Sequence, residues 1–222
     1  MKDLRQAFTE LFRRLEAAYG PQNWWPADSA FEIVVGAVLT QNAAWSNVEK
    51  AIANLKAAGV MELKAMVGLG PERLGQLVRP AGYYNLKARR LLNLLEFIME
   101  RYSGDLEKMF TQPTDVLRQQ LLEVKGIGPE TADSILLYAG GHRIFVVDAY
   151  TRRVLARHGL VSPRADYHEI QRLFMDNLPP DTDLYAELHA LIVALGKHHC
   201  RPRAPRCRQC PARGWLGTEG IS

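Results

Sequence analysis

A chain of 222 residues, 47% hydrophobic and 23% charged, has the composition of a globular protein and is long enough for one large domain or two small ones. No apolar run nears the roughly 18 residues that cross a bilayer. The first twenty residues mix both signs of charge on an amphipathic pattern, unlike a secretory leader, so a cytoplasmic protein (nucleoid-associated in a prokaryote) with no membrane partner is expected. A net charge of +4 and a pI near 9.0 suit a polyanionic partner.

Leu4, Phe8, Leu11, Phe12 and Leu15 recur at helical spacing and predict a first amphipathic helix. Leu91, Leu94, Leu95 and Ile98 predict a later one, with Arg89 and Arg90 on its other side. Leu184, Leu188, Leu191, Ile192 and Leu195 predict a long helix just before the cysteines. Pro and Gly punctuate the chain at 20–26, 68–71, 79–82, 126–129 and 140–141. Period-two alternation is nearly absent, and the apolar run 144–147 is too short to assign. The pattern predicts an all-α protein of about ten helices packed pairwise. A central helical domain over 27–143 is expected, with a second built from 1–26 and 144–222 and a groove between them.

The most informative stretch is LLEVKGIGPETADSILLYAGGHRIFVVDAYTRRVLARHG, residues 121–159. It reads as a helix ending near Val124, a tight turn through Lys125, Gly126, Ile127 and Gly128, and a second helix opened by Pro129. Glycines permit positive φ in the turn, and Pro is favoured at a first helical position. The turn amides, with Lys125 beside them, make a seat for a phosphate oxygen. An ordinary αα-hairpin would have the same glycine chemistry. Asp148 follows Gly128 by twenty residues, where the apolar run ends and a helix with Tyr150, Val154 and Leu155 inward begins. Asp is a favoured N-cap, and that alone accounts for its presence.

Taken together, LLEVKGIGPETA, the Gly-rich loop after it and the aspartate in VVDAYTRR resemble the helix-hairpin-helix, Gly/Pro-rich loop and Asp signature of the endonuclease III superfamily of DNA glycosylases. LTQNAAWSNVEKA, residues 39–51, is similar to the segment of that family that enters the DNA minor groove. RPAGYYNLKARRL, residues 79–91, is similar to another shared helix start. The resemblance covers nearly the whole chain. It implies two helical domains of the endonuclease III type, a monomer acting on duplex DNA that contains a damaged base, and Asp148 as the catalytic carboxylate. Asp148 would stabilise positive charge developing on the sugar and orient or deprotonate the attacking water. Gly126, Gly128 and Lys125 would grip a phosphate, and Gln41 or Asn42 would fill the gap left by the extruded base.

Lyase-active members of that family place a lysine two residues after the second hairpin glycine; here Glu130 stands there, and a carboxylate forms no imine. Strand cleavage is therefore expected to be weak or absent. Helix-hairpin-helix 3-methyladenine glycosylases carry a glutamate in the same GIGxE context. This resemblance implies excision of alkylated purines, which as cations need little acid catalysis to leave. Glu130 with Trp24, Trp25 and Trp45 would form the base pocket. Core packing is the plainer account of each tryptophan, and a helix-start position that of Glu130. An endonuclease III-like enzyme for oxidised or mispaired bases, or a non-catalytic binder of DNA structure, are the alternatives.

Between Lys197 and Arg213 there are six Lys/Arg residues and no acid, and all three cysteines lie there. An odd number of cysteines argues for a metal or cluster site rather than disulfides. Cys200, Cys207 and Cys210 have the C-x6-C-x2-C spacing of the first three ligands to the four-iron four-sulfur cluster of endonuclease III-like proteins. The family's fourth cysteine position is Leu216 here. The readings are a 4Fe-4S cluster with a non-cysteine fourth ligand (His198, His199, another side chain or solvent), zinc in a Cys3His site, or an empty loop packed around Trp215. Arg201, Arg203 and Arg206 in this loop suit phosphate contact. Lys197 is a further candidate for the site, or only a partner for its helix's C-terminus.

Overall fold

The computed structural model of the chain describes residues 3–217. In chain order the helices are α1 (Leu4–Tyr19), α2 (Ala30–Leu39), α3 (Trp45–Ala57), α4 (Leu63–Val67), α5 (Gly70–Leu77), α6 (Tyr84–Tyr102), α7 (Leu106–Phe110), α8 (Thr114–Glu123), α9 (Pro129–Ser134), α10 (Ala149–Arg157), α11 (Tyr167–Met175) and α12 (Thr182–His198). Single turns of 3-10 helix lie at Arg79–Ala81 and Cys207–Gln209, and a π-helical turn, Ile135–Ala139, continues α9. Among the described residues there is no strand. The all-α expectation holds, with twelve α-helices among the described residues, of which α4 and α7 are only five residues long. Short polar side chains set many of the helix starts: Asp3, Ser29, Asp105, Asp148, Asp166 and Asp181 each accept a backbone N–H of the first turn.

The chain divides into two compact units, Trp25–His142 and the pair of segments Met1–Trp24 with Arg143–Ser222. The unit Trp25–His142 is built around α2. Phe31, Val34, Val35, Val38 and Leu39 are all buried, as expected of a helix apolar on every side, and α3, α6 and the π-helical turn surround it. Gly36 lets the Trp25 ring lie on this helix, since a Cβ there would come 3.0 Å from Cζ2. Helices α8 and α9 are joined by a two-pronged ion pair. Arg118 Nε donates to Asp133 Oδ1 at 2.7 Å and Nη2 to Oδ2 at 3.2 Å, with the carboxylate fully buried.

The discontinuous unit packs α1 on α12 and α10 on α12. Phe8 of α1 stacks on Phe174 at 4.5 Å, and Phe174 stacks on Phe145 at 3.9 Å, with Tyr185 edge-on to Phe145. Trp215 is buried and its Nε1 donates to the Ala7 carbonyl at 2.5 Å, so the C-terminal loop is sewn to the first helix. Residues 144–147 are buried but extended outside any sheet, and side chains take over part of a ladder's work. Gln171 Nε2 donates to the Phe145 carbonyl at 2.7 Å, and the Tyr167 hydroxyl accepts the Val147 N–H at 3.2 Å.

Removing one partner of a buried ion pair takes the counter-charge from the other, at a cost of up to about 3–5 kcal/mol. Arg118→Ala is therefore expected to lower the unfolding free energy by that order in denaturant melts. Arg118→Lys, which keeps the charge but not the fork, should recover only part of it.

Candidate functional site

The hairpin has the expected ends: α8 stops at Glu123 and Pro129 opens α9. Its two glycines serve different needs. Gly126 has φ 99°, and a Cβ there would lie 2.3 Å from Cγ of Arg90. Gly128 is extended, with φ −98° and ψ 177°, and a Cβ on it would meet open space. The expectation of positive φ thus holds at Gly126 only. At Gly128 the missing side chain leaves room in front of the turn for an approaching group. Lys125 is exposed, and its carbonyl accepts from Asn93 Nδ2 at 2.9 Å.

The loop after α2 separates Gln41 from Asn42. The Gln41 side chain is half-buried and fully engaged: Nε2 donates to the Gly126 carbonyl at 3.1 Å and to Thr131 Oγ1 at 2.9 Å, while Oε1 accepts from Arg90 Nη1 at 2.6 Å. Asn42 is exposed and left-handed at φ 51°. A residue that the sequence reading passed over sits on the same anchor. Lys87 is buried, and its Nζ donates to the carbonyls of Leu39 and Ala81 at 2.7 Å each, tying the end of α2 to the turn before α6. Burial, with the Arg90 charge nearby, pushes its ammonium down to about 8. Just past that turn Tyr83 is 73% exposed with φ 43°. A large aromatic in the left-handed region, turned to solvent, is a strained placement of the sort found at functional surfaces. Only the exposure and φ reveal it; the sequence has no cue beyond Gly-Tyr-Tyr.

The two adjacent tryptophans part company. Trp25 lies edge-on to Trp45 at 5.4 Å and to Tyr138 at 5.5 Å, making a cluster of three half-buried rings. Trp24 belongs to the other unit, where Lys197 Nζ stands 6.0 Å from its ring centre. Glu130 is exposed in the first turn of α9. Tyr138 was not foreseen.

Asp148 caps α10: Oδ1 accepts the Thr151 N–H at 2.7 Å. Its Oδ2 lies 3.7 Å from His189 Nε2 on α12, and both side chains are nearly buried. Burial by itself would raise this carboxyl, but the His189 contact and the Thr151 N–H outweigh it and hold the group below the ordinary aspartate value. The result is an ionised carboxylate in a dry setting, able to stabilise positive charge in front of it. His189 lies 41 positions beyond Asp148 in sequence, and no local pattern marks it.

Cys200, Cys207 and Cys210 line one small cavity together with Arg157, His158, His199 and Arg213. Two arginines of α10 fix the loop around it. Arg153 Nε donates to the Cys200 carbonyl at 2.6 Å; Arg157 Nη1 donates to the Arg201 carbonyl at 2.6 Å and approaches Cys200 Sγ at 3.4 Å. Burial, and to a lesser degree the two other cysteines, raises the Cys210 thiol. His199 Nδ1 is paired with the Tyr19 hydroxyl at 2.7 Å, whereas the buried Nδ1 of His158 has no hydrogen-bond partner. Among the described residues no three His, Cys, Asp or Glu side chains are grouped to hold a single metal ion. Arg203 and Arg206 are exposed, and Arg201 Nε donates to the Lys197 carbonyl at 3.3 Å.

Residues 35–180 match the family model of HhH-GPD superfamily base excision DNA repair proteins. The chain belongs to this superfamily. A Methanocaldococcus jannaschii protein named as a DNA repair glycosylase is 48% identical over 206 residues, 92% of this chain and 93% of that one. The H. pylori 3-methyladenine DNA glycosylase MagIII, solved bound to 1,N6-ethenoadenine, is 33% identical and matches 86% of this chain and 97% of its own, with a TM-score of 0.76. Endonuclease III in a non-covalent complex with DNA has the same fold at a TM-score of 0.79 and 22% identity, over 93% of this chain and 92% of its own. The protein is thus a DNA glycosylase of base excision repair.

In this HhH-GPD glycosylase the Asp148 carboxyl is lowered on folding, so its contribution to stability is complete above the unfolded value of about 3.9 and disappears as pH falls through the lower folded value. Asn still caps a helix but does not titrate. The stability gap between wild type and Asp148→Asn is expected to be constant at neutral pH and to close below pH of about 4, as read by urea unfolding at a series of pH values.

Proposed function

We propose that this glycosylase is monofunctional and removes alkylated purines of the 3-methyladenine type from duplex DNA, leaving an abasic site. The observation that carries this reading is Glu130 in the first turn of α9, a helix PETADS that offers no amine to attack the sugar. Hydrolysis then needs only water. The C1′–N bond breaks, the electron pair leaves with the base, the water oxygen bonds to C1′ and its proton passes to Asp148 or to solvent. An alkylated purine carries its own positive charge, so it departs without a proton donor. The half-buried rings of Trp25 and Trp45, with Tyr138 beside them, suit the face of such a cation, and Glu130 its charge. The 33% identity to an enzyme named for 3-methyladenine supports the same substrate class.

Gln41 or Asn42, from the loop after α2, would fill the gap in the stack, with the exposed, strained Tyr83 as a further contact. The amides of Gly126 and Gly128 with Lys125 hold a phosphate, and Arg201, Arg203 and Arg206 add contacts to the backbone. The deciding experiment is base release from duplex DNA carrying 3-methyladenine and 7-methylguanine, with strand breaks scored before and after alkali. Free alkylpurine is expected from wild type and none from Asp148→Asn, with breaks only after alkali. Breaks without alkali, or a covalent adduct trapped by borohydride, would make the enzyme a lyase and move oxidised bases to the front. Binding without release from any damaged duplex would leave a DNA-structure binder.

Cys200, Cys207 and Cys210 line one cavity and have the spacing of three cluster ligands, which supports an iron–sulfur cluster, with zinc as the second reading. His158, with its unpartnered Nδ1, is the better fourth donor than His199, whose Nδ1 is already paired. The cluster would supply no step of base release; its chemistry here is to fix residues 200–210 and so present the basic loop. Protein purified without oxygen is expected to contain iron and sulfide with visible absorbance. Cys207→Ala should lose both, and His158→Leu should retain less iron. Iron-free wild-type protein that melts at the same temperature with and without reconstitution would leave the loop as packing around Trp215.

A further inference from the structure

Lys87 lies in the first turn of α6 and is only 1% exposed. It grips the chain at three carbonyls. Its backbone N–H donates to the Tyr83 carbonyl at 2.9 Å, and its Nζ donates to those of Ala81 and Leu39 at 2.7 Å each. Leu39 is the last residue of α2 and Ala81 the last of the 3-10 turn, so both are helix-end carbonyls that need an outside donor. Taking an ammonium out of water is costly, and burial with the Arg90 charge nearby disfavours it here. A methionine would fill the same space without that cost. What the lysine adds is a bond to each of two separate segments.

Each joined carbonyl stands just ahead of residues that the proposed function places on DNA: Gln41 and Asn42 follow Leu39, and Tyr83 follows Ala81. Asn42 and Tyr83 are both exposed and both left-handed, at φ 51° and 43°. We propose that Lys87 is a positioning residue: by joining the end of α2 to the turn 79–81 it fixes the spacing between the loop 41–42 and Tyr83. The two prongs then meet one gap in the duplex together. Lys87 is buried beneath them and touches no DNA itself. Its role rests on the reading of the loop 41–42 and Tyr83 as DNA contacts, whichever of Gln41 and Asn42 fills the gap. It does not depend on which base is excised.

The test uses two duplexes, one undamaged and one with a tetrahydrofuran abasic analogue, and reads the ratio of their dissociation constants. Loss of folded protein weakens both affinities by one factor and leaves the ratio alone; loss of spacing lowers the ratio. Wild type is expected to prefer the abasic duplex. Lys87→Met, which keeps the stem and removes the donors, should cut that preference about tenfold, the scale of one or two hydrogen bonds. Lys87→Gln restores two N–H donors on a shorter stem and should recover part of it; it serves as the second variant if Lys87→Met folds poorly. Tyr83→Ala should also lower the preference. In the Tyr83→Ala background Lys87→Met should cost less than it does alone, because only one prong is left to place.

An unchanged ratio in both Lys87 variants, with Tyr83→Ala impaired, would overturn the positioning role and keep the two prongs as DNA contacts. Fully additive losses in the double variant would also overturn it, since the two residues would then act separately. No abasic preference in wild type, or none lost in Tyr83→Ala, Gln41→Ala and Asn42→Ala, would overturn the reading of the prongs and the positioning role with it.

Discussion

At residue 126 the backbone turns through φ 99°, and the stem of Arg90 occupies the place where a Cβ would be. Glycine is required there on both counts. Because it is glycine, the α6 helix can lie close enough for Arg90 to reach Gln41, for Asn93 to reach the Lys125 carbonyl, and for the Gly126 carbonyl to accept from Gln41. The hairpin, the loop after α2 and the middle of α6 therefore share one junction. Behind it the Arg118–Asp133 pair locks α8 to α9 from the buried side. The turn is consequently held from two directions.

What the sequence made legible was local. The helical period, the hairpin's end points at Glu123 and Pro129, and Asp148 as an N-cap each depend on a few neighbouring residues, and the structure has them all. What it hid was the identity of partners far along the chain. Lys87 reads as one more cation on an amphipathic helix, yet it is buried between two carbonyls. His189 reads as a histidine on an apolar face, yet it faces Asp148. Gln41 and Asn42 are alike in a string of letters, yet one is half-buried with its amide bonded to the hairpin and the other is exposed. Trp24 and Trp25 look like a pair, and the backbone between them sends them to different partners.

The segment leading to Asp148 shows how a glycosylase can place a buried carboxylate without a sheet. Residues 144–147 are apolar and extended, and two side chains from α11, Gln171 and Tyr167, satisfy part of their backbone. Asp148 then enters α10 as its cap, so the first turn of that helix and the tail of this segment fix its Oδ1. The arginines further along α10, Arg153 and Arg157, hold the cysteine loop by its carbonyls. One nine-residue helix thus carries the acid at its start and the support of the basic loop toward its end.

The stitch between Trp215 and Ala7 spans 208 positions of the chain, and it dictates an order of events at the ribosome. The unit Trp25–His142 is continuous and can close as soon as it has emerged. Helix α1 is made before that unit but has no lasting cover for Phe8 until Phe174 and Trp215 exist. At bacterial or eukaryotic synthesis speeds of 5–20 residues per second, that interval is roughly ten to forty seconds. Throughout it an amphipathic helix waits with its apolar stripe in water, tethered to a neighbour that has already folded. A helix made ahead of its neighbour is therefore finished after it.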